Sequence, residues 1–222
     1  MKQRKIIAEK IILESFCNEP FHTLFFLYRI KPNTFTKGGT CSDKVLSTQQ
    51  QLLKAGFKVR LHSSFIDGKE CHRVLKIWVG DNIYFADVGN GWPSIKLFST
   101  DIETQYECFG IQFSTKIYRD HLKIYQTRNN IKRNTVCIPF QSKGEHKIKD
   151  DMSKRFDVTS YPFINKFRFS QVIGQSFLFI RANTLHRYTV SGKETEFIAD
   201  REKVLLEEFG FNLKVFLDKY GK

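Results

Sequence analysis

Cys41, His72 and Asp87 are the residues of this 222-residue chain whose types and spacing suit acyl transfer. Cys41 lies in Lys-Gly-Gly-Thr-Cys-Ser-Asp, residues 37–43, directly after two glycines and at the start of a helical pattern. A cysteine attacks a carbonyl only as its thiolate, and a helix N-terminus favours that form through unpaired amides and the macrodipole. Gly38 and Gly39 let the backbone turn sharply into that helix. A histidine beside the thiol would serve as base and then acid, and a carboxylate would hold the imidazole by its second nitrogen. Together the three describe acyl transfer through a thioester. Taken singly they read differently: Cys41 as a buried structural thiol, His72 as a satisfied core histidine, Asp87 as an exposed strand end.

The joint reading rests on a hairpin. Residues 72–79 and 82–88 have strand character around Gly80-Asp81. If these two form the turn, with Gly at the first central position, Val79 pairs with Asn82 and Val74 with Asp87. His72 stands two residues from Val74, so His72 and Asp87 share a face as diagonal neighbours. A slip of one residue would separate them. By the same alternation Cys71 points to the opposite face and reads as a small core residue. His22, His62, His121, His146 and His186 lack an evident partner and read as surface or loop residues. Gly89-Asn90-Gly91 is the candidate cofactor-binding loop, a Gly-x-Gly able to cradle a phosphate.

Helical spacing covers residues 5–16, a second apolar segment at 21–30 closed by Pro32, and residues 42–54 stopped by Gly56. A turn-rich loop is expected at 33–39. From Phe57 the period becomes strand-like: 57–66, the hairpin, then 106–111, 116–125 and 135–140. Residues 142–154 read as a charged loop or weak helix, and 161–169 as an aromatic-rich stretch. A meander follows at 177–182, 185–190 and 195–198. Asp200 caps a helix over 201–209, ended by Gly210, and 211–217 reads as a last strand. The order is helices, a β-rich middle and a small mixed tail.

Hydrophobic content of 41% and charged content of 27% suit a globular chain. No run approaches the ~20 apolar residues that span a membrane. The basic start and the short, polar segment at 11–16 do not form a secretory signal. Five scattered cysteines offer no Cys-x-x-Cys pair and no zinc spacing, so neither a metal site nor a disulfide framework is expected. Reduced thiols point to the cytoplasm. The net charge of +13 is spread along the chain without a nucleic-acid motif, which favours a polyanionic cosubstrate or an acidic carrier protein over nucleic acid.

These residues resemble the arylamine N-acetyltransferase family. Lys-Gly-Gly-Thr-Cys is similar to its Arg-Gly-Gly-x-Cys motif, and Cys41, His72 and Asp-Val-Gly-Asn-Gly (87–91) follow the order and spacing of its triad. Residues 52–59 and the Leu-Leu-Glu-Glu-Phe-Gly-Phe-Asn-Leu ending at 205–213 also resemble it. The resemblance implies an α+β chain with a cysteine-protease-like core: a helical subdomain carrying the nucleophile (1–56), an antiparallel β-barrel (57–158) and an α/β lid (159–222). It implies ping-pong transfer from acetyl-CoA, another acyl-CoA or an acyl carrier protein, through a Cys41 thioester, to an amine. Departures are Ser42 and Val45 after the nucleophile, Asp43 in place of Glu, and Asn90 where many members carry Phe. Gly-Thr-Cys-Ser-Asp-Lys is also similar to transglutaminase-like cysteine enzymes, which leaves an amidase or crosslinking enzyme as an alternative. A third reading is a binding module of the same fold with a decayed site.

Overall fold

A computed structural model describes residues 2–31, 36–156 and 166–221. The first segment holds α1 (Lys2–Asn18), β1 (Phe21–His22) and α2 (Leu24–Leu27). After it come α3 (Cys41–Lys54), β2 (Lys58–Ile66), β3 (Lys69–Val79), β4 (Asn82–Ala86) and β5 (Phe98–Ser99). The middle continues with β6 (Gln105–Cys108), β7 (Ile111–Ile117), β8 (His121–Arg128) and β9 (Ile131–Pro139). Then follow α4 (Glu145–Ser153), a 3-10 turn (Lys154–Phe156), β10 (Arg168–Ile173), β11 (Ser176–Arg181), β12 (Thr184–Thr189) and β13 (Gly192–Phe197). Two helices close the chain, α5 (Arg201–Phe209) and α6 (Leu213–Tyr220). The α+β architecture is thus as expected. One curled antiparallel half-barrel runs β5-β4-β3-β2-β9-β8-β7-β6, and a second sheet runs β1-β10-β11-β12-β13.

Strand β3 has a hydrophobic cluster on each face, as its alternation requires. Leu75, Ile77 and Val79 pack with Val59 and Leu61 against Val45 and Leu52 of α3 and Ala8, Ile12 and Phe16 of α1. Val74 joins Phe85, Phe98, Leu122, Ile124, Val136 and Ile138 on the opposite side. Helix α3 is therefore pressed onto the strand that carries His72. A third cluster, from Leu24 and Phe25 through Phe169 and Leu178 to Leu205 and Phe216, unites α2, the second sheet and the last helices.

The hairpin has the counted register. Val79 pairs with Asn82 and the ladder runs to Leu75 with Ala86, so its next step sets Val74 opposite Asp87. Gly80 takes a φ of 62°, as that turn position demands.

Other segments differ from expectation. Residues 21–30 are not one helix: Phe21 and His22 pair with Ser170 and Phe169, and only Leu24–Leu27 is helical. Pairing with a distant edge overrides the local apolar pattern. Residues 211–217 are not a strand: Asn212 caps α6 by accepting from the Val215 N–H at 3.0 Å, and Leu213 and Phe216 point inward three apart. The 106–111 and 116–125 segments each merge the end of one strand with the start of the next. Charged residues 145–153 form a helix that buries Ile148 and Met152. Pro32, residues 33–35 of the expected loop and 161–165 of the aromatic-rich stretch lie outside the described residues.

Two of the histidines expected at the surface are buried. His62 is buried, with Nε2 2.6 Å from the Pro139 carbonyl. His22 is fully buried among Phe25, Phe169, Phe211 and Phe216. Neither of its ring nitrogens has a hydrogen-bond partner among the described residues, and burial pulls its pKa down to about 3.

Lys44 ties α3 to α1. It is fully buried and donates to the Ser15 carbonyl at 3.0 Å and the Glu19 carbonyl at 2.5 Å, so a cation meets the carbonyl end of α1. Burial draws its pKa down to about 8 against the upward pull of Glu19. Lys44→Met keeps most of the apolar stem but takes the donor from the Glu19 carbonyl, while the Ser15 carbonyl keeps the Glu19 N–H at 3.1 Å. It is expected to lower the unfolding free energy by roughly 2–4 kcal/mol in urea denaturation.

Candidate active site

Cys41 is the first residue of α3, with Thr40 as its N-cap. The Asp43 carboxylate accepts from the Thr40 N–H at 2.9 Å and the Thr40 hydroxyl at 3.2 Å, which fixes the first turn. Gly39 precedes the cap at a φ of 126°, and a Cβ there would lie 2.5 Å from the Asp43 Oδ2. The glycine and the capping carboxylate thus form one compact entry to the helix.

Asp43 is buried, and burial pushes its pKa up against the opposing pull of Arg155 and Thr40. Its second oxygen receives Arg155 Nη2 at 2.5 Å. Arg155 stands in the turn after α4, and that helix touches the site again. Asp151 lies 3.9 Å from Arg73 Nη2, and Lys143 just before α4 bridges Asp151 and Glu70. Farther along α3, Gln49 donates to Glu145 at 3.1 Å. The segment from Lys143 to Arg155 therefore straps α3 to the strand bearing His72.

The three candidate residues meet. His72 Nε2 is 2.8 Å from the Asp87 Oδ1, and the imidazole stands near enough to Cys41 to act on its thiol. All are enclosed, at 3% exposure for Cys41, 1% for His72 and 0% for Asp87. Asp87 is therefore no exposed strand end. Burial opposes charge on both Cys41 and His72. On Cys41 it is overcome by the charge and hydrogen bond of His72, then by the Arg73 guanidinium and backbone N–H, so its pKa falls below the ordinary thiol value. On His72 it is overcome by the charges of Asp87 and Cys41 and the hydrogen bonds to both, which lift its pKa to about 10. Both shifts favour the charged forms, thiolate on Cys41 and imidazolium on His72, the direction a cysteine nucleophile needs.

The 89–91 loop serves this line. A Cβ on Gly89 would stand 2.4 Å from the Cys41 Cα, so only glycine lets the loop seat against the start of α3. Asn90 donates its amide to the Asp87 Oδ2 and accepts from the Trp92 N–H at 2.8 Å. Gly91 lies on the Phe21 ring, and its carbonyl accepts from the Ser170 hydroxyl at 2.9 Å. Each of these contacts ties the loop to the protein itself.

Cys71 is half-buried, and its carbonyl oxygen lies 4.0 Å from the Cys41 Sγ. Residue reading missed Arg73 and Arg155. Arg73 adjoins His72 in sequence, a signal that was available. Arg155 is 112 residues from Asp43 and sits in a charged stretch with no local sign of its partner. Among the described residues no group of three or more His, Cys, Asp or Glu side chains could hold a metal, and no helix is long and apolar enough to cross a membrane.

No protein-family model matches the sequence, and no curated protein matches it. Solved structures do. The arylamine N-acetyltransferase of M. tuberculosis superposes with a TM-score of 0.82 at 14% identity, over 96% of this chain and 89% of that one. The Mycobacterium marinum arylamine N-acetyltransferase in complex with CoA gives 0.82 at 13%, over 95% and 88%. The Bacillus cereus arylamine N-acetyltransferase with a Cys-His-Glu catalytic triad gives 0.76 at 14%, over 94% and 92%. The chain has the arylamine N-acetyltransferase fold.

Gly89→Ala is expected to displace the start of α3, to cost about 1–3 kcal/mol in stability and to slow Cys41 alkylation at least about tenfold. Lys214→Ala, at an exposed position on α6, is the control and leaves alkylation unchanged. Iodoacetamide kinetics with thermal melts check both.

Proposed function

We propose that this chain is an N-acyltransferase that moves an acyl group from a coenzyme A or carrier-protein thioester to an amine. The observation that carries the reading is the buried Cys41–His72–Asp87 line at the first turn of α3. The Cys41 thiolate attacks the thioester carbonyl of the donor. As the tetrahedral intermediate collapses, the donor's C–S bond breaks, its thiol leaves with the proton from His72, and the acyl group stays on Cys41. An amine then attacks the new thioester, His72 takes the amine's proton, and the amide leaves as Cys41 returns to thiolate. Asp87 keeps the imidazole oriented through both steps. Backbone N–H groups at the start of α3 would stabilise the oxyanion, a contribution of ~3 kcal/mol per donor in comparable sites.

The fold shared with arylamine N-acetyltransferases, one of them solved with CoA, supports the donor class, and the net charge of +13 suits a polyphosphate cosubstrate. Asn90 offers no ring face at its position, so the acceptor in this reading is an amine that need not be aromatic. The division into a helical part (1–56), a barrel (57–158) and a lid (159–222) belongs to the same proposal. It is qualified by β1, which joins the last sheet. A cytoplasmic setting with reduced thiols also belongs to it.

Mixing the protein with acetyl-CoA and other acyl-CoAs is expected to add one acyl group to the intact mass. The adduct is expected to be absent in Cys41→Ala and lost on addition of an amine. No adduct with any acyl-CoA or carrier-bound donor contradicts the proposal. Glutamine deamidation or peptide cleavage without coenzyme A would favour the transglutaminase-like alternative.

A further inference from the structure

We propose that Asn90 is a positioning residue of the Cys41–His72–Asp87 line, its side-chain amide locking the Asp87 carboxylate with Oδ1 toward His72. What the line does rests on the acyltransferase reading; what Asn90 does rests on the loop.

The Asp87 carboxylate is buried and has two oxygens to satisfy. Oδ1 faces His72 Nε2 at 2.8 Å and the Gly89 N–H at 3.4 Å. Oδ2 receives the Asn90 amide. A carboxylate turns about its last torsion in a broad, two-fold well, so a buried one held at a single oxygen has no defined aim. The Asn90 bond removes that freedom and satisfies an acceptor that would otherwise be stranded. The amide's orientation is set by its partners. Its oxygen must face the Trp92 N–H and its NH2 must face a carboxylate, because the flipped amide would oppose donor to donor and acceptor to acceptor.

The loop cannot drift away from this contact. Gly89 is wedged against Cys41, and Gly91 is held by Phe21 and Ser170. The Trp92 ring packs against Phe179 at 4.8 Å, with the Arg128 guanidinium 3.7 Å above it. One short loop thus touches the nucleophile's helix with Gly89 and aims the orienter with Asn90. A displacement at either end reaches both ends of the proton relay.

Two substitutions separate aiming from loop-shaping. Asn90→Ala removes both side-chain bonds. Asn90→Asp keeps an acceptor for the Trp92 N–H but sets a second carboxylate against Asp87, and such a pair holds a shared proton only at lower pH. The readouts are Cys41 acylation by p-nitrophenyl acetate, which needs no coenzyme, and the pH profile of Cys41 alkylation by iodoacetamide.

Asn90→Ala is expected to slow acylation on the order of 100-fold with little change in KM. It is also expected to move the alkylation inflection up toward the free-thiol value of about 8.5. For Asn90→Asp the rate relative to wild type is expected to fall as pH rises, because the proton that substitutes for the amide hydrogen is lost. A residue that only shapes the loop would leave that ratio flat. Wild-type acylation and alkylation profiles in both variants overturn the proposal. If the wild-type protein forms no thioester with p-nitrophenyl acetate or any acyl-CoA, the acyltransferase reading fails. The alkylation profile still decides on Asn90: a shifted inflection in the variants upholds the positioning role, and an unmoved one overturns it.

Discussion

Three ionisable side chains in a closed space, Cys41, His72 and Asp87, are the constraint on which the rest of this structure depends. A thiolate, an imidazolium and a carboxylate with almost no access to water are tolerable only as a contiguous, hydrogen-bonded set. Removing one member leaves its neighbour buried and uncompensated. The chain therefore has to hold a helix start, a strand and a post-strand loop in mutual register. Each comes from a different element: α3 brings Cys41, β3 brings His72, and the residue after β4 brings Asp87.

The way those elements are held follows from that demand. The β3–β4 ladder sets His72 against Asp87. The hydrophobic clusters on both faces of β3 keep its side chains from slipping across the sheet. The helix start is fixed from below by Lys44 at the end of α1 and from the side by Asp43, which ties its own cap to Arg155. Gly89 closes the remaining approach by letting the loop pack directly on the Cys41 backbone. Lys44 and Asp43 are both buried ionisable groups with shifted affinities, and both fix the start of α3, where Cys41 lies.

What was legible in the sequence follows the range of the forces involved. The hairpin was readable because a two-residue turn with glycine in its first position sets the register of both strands, and the register sets the faces. Helix α3 was readable from the glycines and polar cap before it and the stripe of Val45 and Leu52 after it. Strand β1 was hidden because two residues have no period, and only pairing with Ser170 and Phe169 makes them a strand. Helix α6 was misread because the aromatic and apolar residues of 211–217 suggested a strand, while Leu213 and Phe216 are spaced for a helix. His22 and Arg155 were illegible for one reason: an aromatic cage and an ion pair across 112 residues are made by the fold and leave no local trace.

The shared fold comes with 12–15% identity to its structural neighbours, so the backbone is alike while most side chains are not. The case for chemistry therefore stands on the electrostatics of Cys41 itself, and its thiolate absorbance in the ultraviolet, taken as wild type minus Cys41→Ser, tests that most directly. His72, with its pKa raised to about 10, keeps its proton through neutral pH and loses it only as pH rises through that value, while Cys41 takes up a proton only as pH falls through its lowered value. The predicted result is a thiolate signal with its midpoint below the free-thiol value of about 8.5, and a midpoint that moves up in Asp87→Asn. A Cys41 signal that first appears near the free-thiol value of about 8.5, and is the same in wild type and Asp87→Asn, would contradict it.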